Sequence, residues 1–245
     1  MSDLPFTPYI VTALGRDGSS WLGGLIQDHP TVKVRWDGEL LMMDGSIKPT
    51  SGIKAAVILD EKTYNKNNSC VASGLKLTPW MLWRPPKARF PVASGVVDYL
   101  RALTPTLRVI HLERRNYLRS YVSRKVAGET GIWQIRSKEK SHYRRPQVKI
   151  TRQELLNRVR YRKDSYANLR KLFANHPSLS VTYEDLRQGR DKTLRGVYQF
   201  LGLDSGSLPE NALQKQEYRS LRESISDYDQ LKKSFIGSPL LAMFD

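Results

Sequence analysis

Residues 8–26 read Pro-Tyr-Ile-Val-Thr-Ala-Leu-Gly-Arg-Asp-Gly-Ser-Ser-Trp-Leu-Gly-Gly-Leu-Ile. The first seven form a short, β-rich apolar run. The last six carry the spacing of a buried helix that ends before Pro30. Between them lies Gly15-Arg16-Asp17-Gly18-Ser19-Ser20, so the order is strand, glycine loop, helix. A helix start that receives such a loop is an anion cradle, because unpaired N–H groups and the positive end of the helix dipole converge there. Gly15 and Gly18 permit close backbone approach, Ser19 and Ser20 add hydroxyl donors, and Arg16 adds a fixed positive fork. An NTPase P-loop would need a Gly-Lys pair before its Ser/Thr, and that pair is absent. The loop therefore points to an anionic donor other than a magnesium nucleotide, or else to an ordinary strand-to-helix turn.

Outward from this stretch the chain alternates strands and helices, the pattern of an α/β fold with a mostly parallel sheet. Val71 to Leu77 and Leu107 to Leu112 read as further strands, the second followed by a helix from about Asn116. Gly128 to Ile150 reads as a long basic loop. Thr151-Arg152-Gln153-Glu154 matches a capping box that opens a helix with an apolar stripe of Leu155, Val159, Tyr166, Leu169 and Phe173. Leu179 to Tyr183 predicts a strand and Thr193 to Leu201 a helix stopped at Gly202. The tail is weakly helical and ends in an apolar segment, Pro239 to Phe244, that suits docking onto a core or a partner.

The 245 residues suffice for one sizeable core, and a single domain over 1–245 is the expectation. With 40 Lys and Arg against 24 Asp and Glu, the net charge of +16 attracts polyanions. No nucleic-acid reading module is recognisable in the sequence, which argues against that partner. The lone Cys70 argues for a reducing compartment, with the cytoplasm as the expected location. Met1 to Gly18 lacks the features of a secretory signal, and charged residues break every candidate membrane span. His29, His111, His142 and His176 do not fall into a metal-ligand spacing, and no metal is expected.

Val109-Ile110-His111-Leu112-Glu113-Arg114-Arg115-Asn116, continuing to Ser123, is an apolar strand that ends in Arg and leads into a helix carrying Ser. With this segment the chain resembles the PAPS-dependent sulfotransferases, where PAPS is 3′-phosphoadenosine 5′-phosphosulfate, and within them the bacterial carbohydrate and small-molecule O-sulfotransferases. Residues 16–22 resemble that family's 5′-phosphosulfate loop. Thr182-Tyr183-Glu184-Asp185-Leu186 and Phe200-Leu201-Gly202 resemble its late segments. The resemblance implies a P-loop-like three-layer fold, PAPS as co-substrate and adenosine 3′,5′-bisphosphate as product. It implies Arg16, Asp17, Gly18, Ser19, Ser20 and Trp21 at the 5′-phosphosulfate, Arg115 and Ser123 at the 3′-phosphate, and Tyr183 near the adenosine.

For chemistry it implies a carboxylate general base, Glu39, with Asp37 in reserve. Lys76, or Arg16 in its place, would neutralise the departing oxygen. The acceptor would be a hydroxyl of a saccharide, a glycolipid or a small natural product. Each residue also has a plainer reading: a helix-start glutamate, a strand-end lysine, a solvated arginine beside Arg114, a helix serine bonded to its own backbone, a core tyrosine. The cytosolic enzymes' late Arg-Lys-Gly-x-x-Gly segment is absent. Arg136, Lys138, Lys140, Arg144 and Arg145 either cover an anion in its place or form a solvated basic loop. A P-loop nucleotide kinase and a non-catalytic polyanion-binding protein are the competing classes.

Overall fold

All seven residues of β1, Thr7–Ala13, are buried, as in a strand covered on both faces. The structure, a computed structural model, describes residues 6–35, 70–78, 94–103, 105–133, 146–206, 208 and 220–244. They fall into two compact units, one of Met1–Glu113 with Ala167–Ala212 and the other of Arg114–Tyr166 with Leu213–Asp245.

In the first unit β1 pairs in parallel with β3 (Ala72–Leu77) on one side and β4 (Arg108–Glu113) on the other. β2 (Val32–Arg35) extends the sheet beyond β3 and β5 (Ser178–Thr182) beyond β4, giving the all-parallel order β2-β3-β1-β4-β5. Alternate residues of β1 serve opposite cores, as the period of two requires. Tyr9, Val11 and Ala13 pack with Leu22, Leu25 and Ile26 of α1 (Ser19–Gln27) and with Leu194, Val197, Tyr198 and Leu201 further along. Ile10 packs with Leu75, Leu77, Val109, Phe173 and Leu100 of α2 (Ser94–Ala102). Helices on both sheet faces make three layers, as expected. Gly74 sits opposite Tyr9 in the register, and a Cβ there would lie 2.5 Å from the Tyr9 ring. The glycine gives that aromatic its place over the sheet.

The second unit holds α3 (Tyr117–Thr130) and the part of α4 (Arg152–Leu172) up to Tyr166. It also holds α7 (Leu221–Ser224) and α8 (Tyr228–Lys233); α5 (Tyr183–Gln188) and α6 (Arg190–Leu201) belong to the first unit. The expected capping box forms at α4: Thr151 N–H donates to Glu154 Oε2 at 2.7 Å and Glu154 N–H to Thr151 Oγ1 at 3.2 Å. The apolar tail docks as a 3₁₀ turn, Pro239–Phe244, with Phe244 buried against Tyr228 and Phe235.

The structure differs from the sequence reading in four places. β2 and α2 went unread, β2 because four residues are too few to show an alternation. α3 continues to Thr130, so Gly128 is helical and the chain leaves the helix at Gly131, which caps it at φ 70°. Tyr183 is not the end of a strand but the first residue of α5. Thr182 caps that helix, its Oγ1 accepting the Asp185 N–H at 3.0 Å.

Candidate active site

The sheet order places the site. The chain fills β2 and β3 on one side of β1 and then crosses to β4 on the other, so the C-terminal end of β1 is a topological switch point, where parallel α/β sheets take ligands. The loop that leaves β1 there is Leu14–Gly18. Asp17 is fully buried; its Oδ2 accepts the Leu14 N–H at 2.9 Å while its own N–H donates to Leu14 O at 3.3 Å. This double tie closes the loop on itself and turns the carboxylate inward. Arg16 is held at φ 74° and Gly18 at φ 88°. A left-handed arginine costs about 1–2 kcal/mol, so the rest of the loop must impose the conformation on it. Ser19 is buried, and Arg16, Ser20 and Trp21 are half-buried, around the N-terminus of α1.

Tyr183 closes the back of this loop. A Cβ added at Gly18 would lie 2.6 Å from its Cδ2, so the ring rests directly on the Gly18 backbone. Trp21 meets the same ring edge-on, with centroids 5.7 Å apart. Two of the sequence motifs, 165 residues apart, are thus in contact within one unit. Lys76 pairs with Val11 in the register, on the sheet face that α1 covers, and is half-buried. On the opposite face His111 is buried, its Nδ1 lying 2.8 Å from Thr12 Oγ1. Burial, and secondarily the positive charge of Arg170, push its pKa down to about 4.

In the second unit the adjacent arginines separate cleanly: Arg114 is buried and Arg115 exposed. Asn116 caps α3, its Oδ1 accepting the Arg119 N–H at 2.9 Å. Along α3, Ser120 is fully buried and accepts from Arg162 Nη1 at 2.9 Å. Ser123 is half-buried one turn on. Arg162 itself is fully buried and donates through Nη2 to Tyr166 Oη at 2.6 Å. Sequence reading placed Tyr166 in an apolar stripe and passed over Arg162. The signal available was an arginine four residues before a tyrosine on the buried face of a helix. Glu39, Asp37, Arg136, Lys138, Lys140, Arg144 and Arg145 lie outside the described residues.

The sequence model of the sulfotransferase family matches residues 8–206. The chain therefore belongs to the sulfotransferase family, and it is a sulfotransferase enzyme rather than a nucleotide kinase or a passive polyanion binder. Nodulation protein H of Rhizobium tropici is 27% identical over 97% of this chain and 93% of its own length. Nodulation protein H of Rhizobium meliloti is 25% identical over 100% and 97%. Among solved structures, the sulfotransferase from Alicyclobacillus acidocaldarius matches with a TM-score of 0.49 at 12% identity, covering 96% of this chain and 93% of that one. Among the described residues, no helix is long and apolar enough to cross a membrane.

Proposed function

We propose that the chain transfers a sulfuryl group from PAPS to a hydroxyl of a saccharide, glycolipid or small-metabolite acceptor and releases adenosine 3′,5′-bisphosphate. The observation that carries this reading is the 14–18 loop at the switch point. Two residues at positive φ, the hydroxyls of Ser19 and Ser20 and the Arg16 guanidinium stand at a helix start, and the loop's only carboxylate is turned inward. Such a donor set suits a phosphosulfate anion. When bound, PAPS supplies an activated sulfur–oxygen bond.

In this reading Arg16, Asp17, Gly18, Ser19, Ser20 and Trp21 form the 5′ cradle, Asp17 by holding its shape. Arg115 and Ser123 hold the 3′-phosphate, and Tyr183 lies near the adenosine. Glu39 takes the acceptor's proton, and Lys76, helped by Arg16, neutralises charge on the departing oxygen. The work is positioning and field, with no metal in the scheme. Both compact units serve one transferase domain, a reading supported by a family match that runs through both. A reducing, cytoplasmic setting goes with it, supported by the lone Cys70.

The test is a thermal titration with adenosine 3′,5′-bisphosphate against ADP with magnesium. At a hundredfold excess over Kd, a ligand that binds only the folded state adds about 2.7 kcal/mol, or roughly 5–10 °C in a chain of this size. Stabilisation by the bisphosphate that disappears in Arg115→Ala is the expected result. A response to the magnesium nucleotide alone would overturn the donor assignment.

A further inference from the structure

Arg115 sits on a three-residue link, 114–116, between the end of β4 and the start of α3. An exposed arginine on such a link makes a selective phosphate contact only if the backbone beneath it is fixed. The second unit contains a device that fixes it. The Arg114 N–H donates to Tyr166 Oη at 3.4 Å, and the same phenol oxygen accepts from Arg162 Nη2 at 2.6 Å. The other arm of Arg162 reaches Ser120 Oγ at 2.9 Å, and Ser120 N–H donates to Asn116 O at 3.2 Å. The link is thus held at both ends, through Arg114 and through Asn116, by one buried guanidinium. Arg162 lies between aromatic faces, 5.2 Å from the Tyr117 centroid and 5.4 Å from that of Tyr166. Those two rings stack at 6.4 Å. Asn116 Nδ2 is also tied to Met243 O at 3.0 Å, so the tail braces the same point.

We propose that Tyr166, oriented by Arg162, is a positioning residue for recognition of the donor's 3′-phosphate: it holds the Arg114–Asn116 backbone so that Arg115 is preset for that phosphate. The inference rests on the reading that Arg115 and Ser123 receive the 3′-phosphate. Burying a cation such as Arg162 carries a desolvation cost. A packing role alone does not call for one, whereas a rigid fork linking Arg114 to α3 does. Tyr166 touches no reacting atom in this scheme; it acts through the backbone.

The test uses the full chain and isothermal titration with adenosine 3′,5′-bisphosphate and, separately, AMP, which lacks the 3′-phosphate. Tyr166→Phe keeps the ring stack and removes the phenol oxygen. Affinity for the bisphosphate should fall about tenfold, as for losing one charge-assisted hydrogen bond's worth of order, while affinity for AMP stays as in the unaltered protein. The ratio of the two affinities is a readout that a loss of general stability would not move. Ser120→Ala should shift the ratio the same way by a smaller factor. A folded Tyr166→Phe protein with an unchanged ratio would overturn the positioning role. If the unaltered protein itself fails to prefer the bisphosphate to AMP, then the Arg115 assignment fails and takes this inference with it. Should Tyr166→Phe not fold, amide exchange in the unaltered protein decides: the Arg114 N–H should exchange as slowly as those of β4, and rapid exchange would overturn the proposal.

Discussion

Replacing Gly18 by alanine tests the central geometry in one methyl group. At φ 88° any side chain costs about 1–2 kcal/mol in backbone strain. The new Cβ would also stand 2.6 Å from Tyr183 Cδ2, and forcing a buried aromatic aside costs about 1–3 kcal/mol. Together these predict a loss of about 2–5 kcal/mol, which in a chain of this size lowers Tm by roughly 5–20 °C. The adenosine 3′,5′-bisphosphate titration should weaken as well, because the loop that carries Arg16 must shift. A double-mutant cycle separates the two contributions. In a Tyr183→Ala background the steric part vanishes, and Gly18→Ala should then cost only the strain, a coupling of about 1–3 kcal/mol. Equal costs in the two backgrounds would show that the ring is not what Gly18 accommodates. An unchanged Tm in the single variant would refute both parts of the reasoning.

Further predictions concern pH and chemistry. His111, buried beside Thr12, has its pKa pushed down to about 4, below the ordinary 6.5 it regains on unfolding. The unfolded chain therefore binds the extra proton first: stability is full above pH 6.5 and falls between 6.5 and 4, by on the order of 3 kcal/mol from this group. Urea midpoints measured across that window should flatten in His111→Gln, and an unaltered slope would refute the assignment. Lys76→Ala should lower kcat by about 10²–10³-fold, the usual effect of removing a group that stabilises developing charge, with bisphosphate affinity nearly unchanged. A raised KM at unchanged kcat would move Lys76 to substrate binding. Glu39→Gln should lower kcat by about 10²–10⁴-fold and abolish the acid limb of the pH–rate profile; retention of that limb would hand the base role to another group such as Asp37.

What the sequence disclosed about the fold follows from where its signals are local. β1 and β4 carry β-branched and leucine runs that suit a buried strand, while β3, Ala-Ser-Gly-Leu-Lys-Leu, is marked by its two leucines. The starts of α3 and α4 are marked by Asn116 and by the Thr151–Glu154 box, whose side chains act on backbone three residues away. The 14–20 loop was legible because strand, glycine and helix stand next to one another. The rest depends on contacts between distant residues. Nothing near Tyr183 in the chain announces that its ring lies on Gly18, so it read as the end of a strand. Which of Arg114 and Arg115 is buried could not be read from two adjacent identical residues; the fold buries Arg114 and exposes Arg115. That the Asp17 carboxylate turns back onto the Leu14 N–H is a matter of three-dimensional geometry that the sequence does not display. Arg162 was passed over because a cation on a helix ordinarily faces water, and here two rings and two hydroxyls surround it.

The strand order has a bearing on how the chain is made. Among the five described strands β1 is made first and lies in the middle of the order, so neither of its neighbours has yet been made when β1 is synthesised. The second of them is complete only at Glu113, 100 residues after Ala13, which at about 5–20 residues per second is a wait of roughly 5–20 s. Both edges of β1 stay open until β3 is complete at Leu77, and the edge that β4 will cover stays open until Glu113, a state prone to pair with another nascent chain. Fragments that stop short of Glu113 should therefore be recovered as aggregates, and slower, cooler expression should favour soluble full-length protein by slowing intermolecular encounter while β3 and β4 arrive.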